Sequence, residues 1–117
     1  MMSSYFEKFR NPRWQKKRLK IMEKAGFKCE GMCLTSDRTL NVHHGYYEKD
    51  LNPWDYDDDT LWCLCEVCHE QIRDEMRDLH FQLAKVHPVR YAQIMRYLVK
   101  YQAPQHGGKN YREELNK

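Results

Sequence analysis

Two groups of residues in this 117-residue chain have the types and spacing to do chemistry. The first is four cysteines in two close pairs, Cys29 with Cys33 and Cys65 with Cys68. Tetrahedral zinc is held this way in structural sites, because each pair spans two adjacent corners and the insert between the pairs folds back to bring them together. Cys65 to Cys68 is a CxxC, and Cys29 to Cys33 has three intervening residues, still inside the range such sites use. Four thiolates leave no open coordination position, so this zinc would staple the fold and take no part in a reaction. The alternatives are buried free thiols or disulfides. The odd count of five cysteines disfavours a fully paired set. Cys63 reads as a small buried residue turned away from the pairs.

The second group is His43, His44 and His69. His43-His44 closes a predicted strand, and His69 follows Cys68 directly, so a zinc joining the cysteine pairs would hold strand and helix side by side and let the imidazoles converge. Hydrolysis of a phosphodiester needs a base to activate water and a divalent cation to offset charge on phosphorus. Two histidines could ligate the cation while the third serves as base. His80, His87 and His106 lack such neighbours and read as structural.

These residues need elements to position them. Asn11-Pro12 predicts a helix start, with Asn11 as N-cap and Pro12 at the first position, where its missing N–H costs nothing. Gly26 is a natural stop. Within 11–26, Trp14, Arg18, Ile21, Met22 and Ala25 share a face, and Lys16, Lys17, Lys20 and Lys24 give a basic exterior. A Cys/Gly/Thr/Ser-rich knuckle follows from Phe27 to Asp37. Thr39 to His43 alternates as a short strand does, and Leu61 to Leu64 predicts a second. Gly45 to Asp59 reads as an acidic loop pinned by Tyr46, Trp54 and Tyr56. A helix is predicted from about Cys68 to Val86, and another from Pro88 to about Tyr101. In the latter, the spacing of Tyr91, Tyr97 and Tyr101 fits core packing better than an interface. Residues 103–117 read as a polar tail. The whole is one α+β domain over 1–117, with a basic helix (11–26), a zinc core (27–86), a C-terminal helix (88–102) and the tail.

Composition sets the surroundings. A hydrophobic share of 41% with 32% charged residues suits a globular protein with a modest aliphatic core, which leaves room for metal to contribute to stability. The net charge of +3 is unevenly spread. Nine Lys/Arg against two acids stand before Cys29, three against twelve from Cys29 to Glu75, and eight against three from Met76 onward. Basic flanks around an acidic centre suit a protein that grips phosphates at its edges and holds cations in its middle. Solvated helix faces would give the same charges. No membrane-length apolar run and no secretory leader is visible, so the expectation is a reducing, cytoplasmic setting in which thiols bind metal.

Taken together, Leu40-Asn41-Val42-His43-His44, Pro53-Trp54-Asp55-Tyr56 and the run Leu61 to Glu70 containing Cys65-Glu66-Val67-Cys68-His69, preceded by CxxxC after a basic helix, resemble small bacterial and phage HNH endonuclease domains. The resemblance spans about Asn11 to Arg73. It implies a ββα-metal fold and cleavage of DNA, as an endonuclease or nickase, with Mg2+ or another divalent transition metal. By the same resemblance His44 is the general base, and His43 and His69 are ligands of the catalytic metal. Two positions depart from the family: Thr60 stands where it has Asn, and Arg73 where a further histidine is common. Thr60 can hydrogen-bond with shorter reach, and Asp59 could lend a carboxylate to the metal. Lys16, Lys17, Arg18 and Lys20, with Arg73 and Arg77 on the later helix, are the expected DNA contacts. The competing expectation is a catalytically degenerate, zinc-stabilised module that binds DNA or a protein partner, such as an inhibitor from a phage or defence system. A protein partner or a homodimer through the C-terminal helices is compatible with either.

Overall fold

The computed structural model describes residues 5–31, 33 and 37–102. The polar tail expected at 103–117 lies outside the described residues.

A short helix, α1 (Tyr5–Lys8), precedes α2 (Pro12–Lys24). Asn11 caps α2 by accepting the Arg13 N–H at 2.8 Å, with Pro12 in the first turn. The helix stops where the motif requires it: Gly26, at φ 70°, donates to the Glu23 carbonyl at 2.9 Å, and Phe27 donates to Met22 at 2.8 Å. Strands β1 (Leu40–His44) and β2 (Leu61–Cys65) pair antiparallel, with Leu40 opposite Cys65 and His44 opposite Leu61. β2 runs straight into α3 (Glu66–Ala84), and α4 (Tyr91–Leu98) follows a tight turn at Pro88–Arg90. The architecture is α+β with a two-stranded sheet.

The sheet is covered on both faces. On one side Trp14, Ile21 and Met22 of α2 bury Val42, Leu61 and Cys63, together with Tyr56 from the connecting loop. On the other, Leu64 and the buried sulfurs of Cys29 and Cys65 are packed by Ile72 of α3 and by Trp62. Cys63 thus belongs to the α2 side, apart from the other sulfurs.

The loop between the strands is more ordered than its acidic composition suggests. It forms two 3-10 turns, Pro53–Asp55 and Asp58–Thr60. The buried Tyr56 hydroxyl accepts the Glu48 N–H at 2.9 Å and so fastens the loop's middle to its start.

The C-terminal segment corrects an expectation. Tyr91, Tyr97 and Tyr101 are exposed, as are Val89, Met95 and Leu98. The spacing that fits a core face is there, yet α4 makes its main contacts with the turns at its own two ends, so among the described residues it packs on no core.

Candidate metal centre and histidine cavity

One loop and two element ends build the cysteine cluster. Cys29 and Cys33 sit in the knuckle after α2, Cys65 ends β2, and Cys68 lies in the first turn of α3. Their four sulfurs lie within 4.8 Å of one another, with Cys33 to Cys65 at 3.6 Å and Cys33 to Cys68 at 3.4 Å. Metal–sulfur bonds of about 2.3 Å to a tetrahedral ion set an edge of roughly 3.8 Å, so the spacing fits. The four residues are therefore placed to hold a metal ion.

The surroundings are those a thiolate cluster needs. Backbone N–H groups of Gly31 (3.2 Å) and Cys65 (3.1 Å) point at the Cys29 sulfur, and the Cys68 N–H points at Cys65. A Cβ on Gly31 would sit 2.9 Å from the Cys68 sulfur and 3.2 Å from that of Cys29, which explains why this position carries no side chain. Burial pushes the Cys65 thiol up, but the Cys68 N–H and bonds from Cys33, Cys68 and Arg38 outweigh it and bring it down to about 6. Burial and the neighbouring sulfurs push Cys68 up to about 12. A thiol lowered in this way beside one raised in this way is the uneven proton sharing expected where sulfurs crowd together, and a cation bound between them would favour the thiolate forms.

Glu30 locks the knuckle to the sheet. Its N–H donates to the Cys63 carbonyl at 2.7 Å, while its carboxylate accepts the Cys63 N–H at 2.8 Å. A buried carboxylate with such a partner reads as part of the scaffold.

The histidines divide between the two faces of the sheet. The rings of His43 and His69 stand 5.5 Å apart between β1 and α3. They line a cavity of about 550 Å³ together with Arg73, Arg77, Phe9 and Tyr47. Burial, then the charges of His69, His44 and Arg73, push His43 down to about 4, and burial and Arg73 lower His69. Both rings are thus neutral at physiological pH, the form that ligates metal.

His44 points to the other face, since consecutive strand residues alternate. Its ring is stacked between Trp14 (5.2 Å) and Tyr47 (5.3 Å), with Tyr56 at its edge, and the residue is only 2% exposed. Its Nε2 lies 3.2 Å from the Pro53 carbonyl, which can only accept, so Nε2 carries the proton and Nδ1 keeps the lone pair. Burial lowers the His44 pKa and keeps the ring neutral. Phe9 and Tyr47 touch this ring and also line the cavity, so they border both His44 and the His43–His69 pair.

The remaining expected residues fall as follows. Thr60 donates its hydroxyl to the Asp57 carbonyl at 2.7 Å, capping its own turn, while its carbonyl accepts the Gly45 N–H at 2.8 Å and closes the sheet's end. Asp59 is exposed on that turn and does not join His43 and His69: among the described residues the cysteines alone form a group of three or more metal-binding side chains. Arg73 and Arg77 flank the histidine pair. Lys17 and Lys20, with Lys24, converge on Asp58 at 2.5, 3.0 and 2.6 Å, so a phosphate on this face would compete with the chain's own carboxylate. Arg18 is half-buried near Cys63, whose thiol burial and the Glu30 charge push up to about 12 against the smaller pull of Arg18, and Lys16 is exposed. Sequence reasoning missed the Pro53 carbonyl, the aromatic stack on His44 and Arg38 at the cysteines. Strand alternation alone was the signal that separates His43 from His44.

No protein-family model matches the chain, and neither a curated protein nor a solved structure matches it. Among the described residues no helix is long and apolar enough to cross a membrane.

Proposed function

We propose that this protein is a metal-dependent endonuclease or nickase of the HNH kind, cutting DNA phosphodiesters, with zinc on the four cysteines as a structural staple. The observation that carries the reading is the His43–His69 pair, 5.5 Å apart, in a cavity flanked by Arg73 and Arg77. Metal–nitrogen bonds of about 2.1 Å let one ion touch a nitrogen of each ring at that separation. Magnesium or a transition cation there would supply Lewis-acid stabilisation of charge on the phosphorus, its other positions open to water and phosphate oxygens. Arg73 and Arg77 draw the phosphate in and hold its oxygens by charge-assisted bonds. His44, with Nε2–H fixed on the Pro53 carbonyl and Nδ1 unprotonated, has the tautomer a general base requires.

The test is nicking of supercoiled plasmid with added divalent metal. His69→Ala is the cleaner variant because His69 sits at the cavity's edge, whereas His44 is also part of the core. Removing a ligand or base should slow cleavage by roughly two orders of magnitude or more, with the metal content of the cysteine site unchanged. A specific observation favours a second reading: His44 is enclosed, and two imidazoles without a carboxylate make a sparse metal site. On that reading the chain is a degenerate HNH-like module that binds DNA or a protein partner. Wild type that binds DNA but fails to cut it with any added divalent metal would establish it and end the first.

A further inference from the structure

The cavity that holds His43 and His69 extends past that pair, and its two walls differ in kind. One wall is the face of α3 that carries His69, Arg73, Arg77 and His80. These follow one another by four, four and three residues, so each stands about one turn on from the last, a rise of roughly 5–6 Å. His80, which reads as structural in the sequence, thereby joins the cavity at its far end. The other wall is aromatic, with Phe6 of α1, Phe9 and Tyr47. Tyr5 stands edge-on to Phe9 at 5.2 Å and to Tyr47 at 6.5 Å, which ties the rings into one unit. His44 occupies one face of Tyr47, whereas Phe6 is 81% exposed at the cavity. Among the described residues no carboxylate lines this space.

The opposite flank of the same row is acidic. Glu66, Glu70 and Asp74 line a neighbouring depression together with Arg73 and Arg77, and Asp74 lies 3.8 Å from Arg77. The arginines are thus a ridge with rings on one side and carboxylates on the other. A cationic row stepped like the phosphates of an extended strand, facing accessible rings, is what an unpaired strand requires: its backbone meets charge and its bases meet π faces. In a duplex the base faces are already stacked on their neighbours, so the rings gain nothing from it. A second backbone laid across the ridge meets the carboxylates.

We infer that the cavity receives a single strand of DNA, with Arg73, Arg77 and His80 along its phosphates and Phe6 against a base, so that unpaired DNA is the preferred substrate. This rests on the reading proposed above only in taking the cavity as the place where DNA lies.

Fluorescence anisotropy tests it, on the full chain with its cysteine-bound metal and no other divalent cation. A labelled oligonucleotide of about 12 nucleotides is compared alone and annealed to its complement, at one salt concentration. The single strand is expected to bind tighter by roughly tenfold or more. Phe6→Ala should weaken the single strand by roughly tenfold and leave both duplex binding and the melting temperature unchanged, and Phe6→Trp should keep the wild-type affinity. Arg77→Gln should lower the slope of log affinity against log salt by about 0.7, and His80→Ala should weaken the single strand by roughly threefold. A duplex bound as tightly as the single strand, no binding of either, or a Phe6→Ala change that leaves the single strand untouched overturns the inference. Nicking of plasmid without a single-strand preference ends it while the nuclease reading stands. A single-strand preference without cleavage under any divalent metal does the reverse.

Discussion

From Phe9 to Ile72 every element is fastened to another. α2 lies on the sheet through Trp14, Ile21 and Met22, the knuckle is bonded to β2 through Glu30, and the cysteines tie knuckle, strand and helix at one point. From Met76 onward, helices of comparable regularity carry side chains that are just as apolar and touch little: Leu79, Met95 and Leu98 are all exposed. Both regions therefore have the periodicity of a packed helix, but among the described residues only the first has something to pack on. Periodicity reports that a face will be covered and is silent on whether the cover is the same molecule.

The largest effect expected from this contrast is removal of the staple. A four-cysteine site binds its ion with a free energy that becomes folding free energy, on the order of 10 kcal/mol in small zinc domains. Chelation, or Cys65→Ser, should therefore unfold the sheet region. Gly31→Ala should do so in part, because its Cβ cannot share space with the Cys68 sulfur. Circular dichroism with and without a strong chelator reads the outcome. A chain that melts at the same temperature without metal would show that the apolar core suffices and that the cluster is no staple.

Next in size is paired truncation in the two regions. Leu61 is fully buried between α2 and the sheet, so Leu61→Ala should cost about 2–5 kcal/mol through lost transfer energy and the cavity left behind. Leu98→Ala removes the same atoms from an exposed site and should change monomer stability by no more than about 0.5 kcal/mol. Urea unfolding at low protein concentration compares them. Equal costs would mean that α4 has a cover within the chain and would erase the distinction between the regions.

How far the sequence discloses this follows the same division. Elements with local signals are legible: Asn11-Pro12 and Gly26 bracket α2, and the cysteine pairs predict a cluster because ligand spacing is a local rule. The ends of α3 fall within about two residues of expectation for the same reason. What depends on a third element is not legible. That His43 meets His69 while His44 meets Trp14 follows from which face of a two-stranded sheet each helix covers, and alternation gives only the separation. The Pro53 carbonyl at His44 comes from a loop whose acidic composition says nothing of its path. The lysines of α2 read as a phosphate-facing stripe because Asp58, more than thirty residues on from Lys24, is invisible as their partner until the loop is folded.

That last contact provides the smallest and most specific effect. Burial would raise the Asp58 carboxyl, but the ammonium groups of Lys17, Lys24 and Lys20 hold it well below the usual carboxylate range. A group whose folded pKa lies below its unfolded value of about 3.9 contributes stability that is complete above roughly pH 5 and lost as pH falls towards the folded value. Three part-exposed ion pairs sum to about 1–2 kcal/mol, so Asp58→Asn should cost that much at pH 7, and the gap to wild type should narrow steadily below pH 4. High salt should narrow it too, by screening the same charges. Urea midpoints at pH 7 and pH 3 decide the matter: a gap of the same size at both would mean that the asparagine disturbs packing, and that the lysine face of α2 is free to meet phosphate after all.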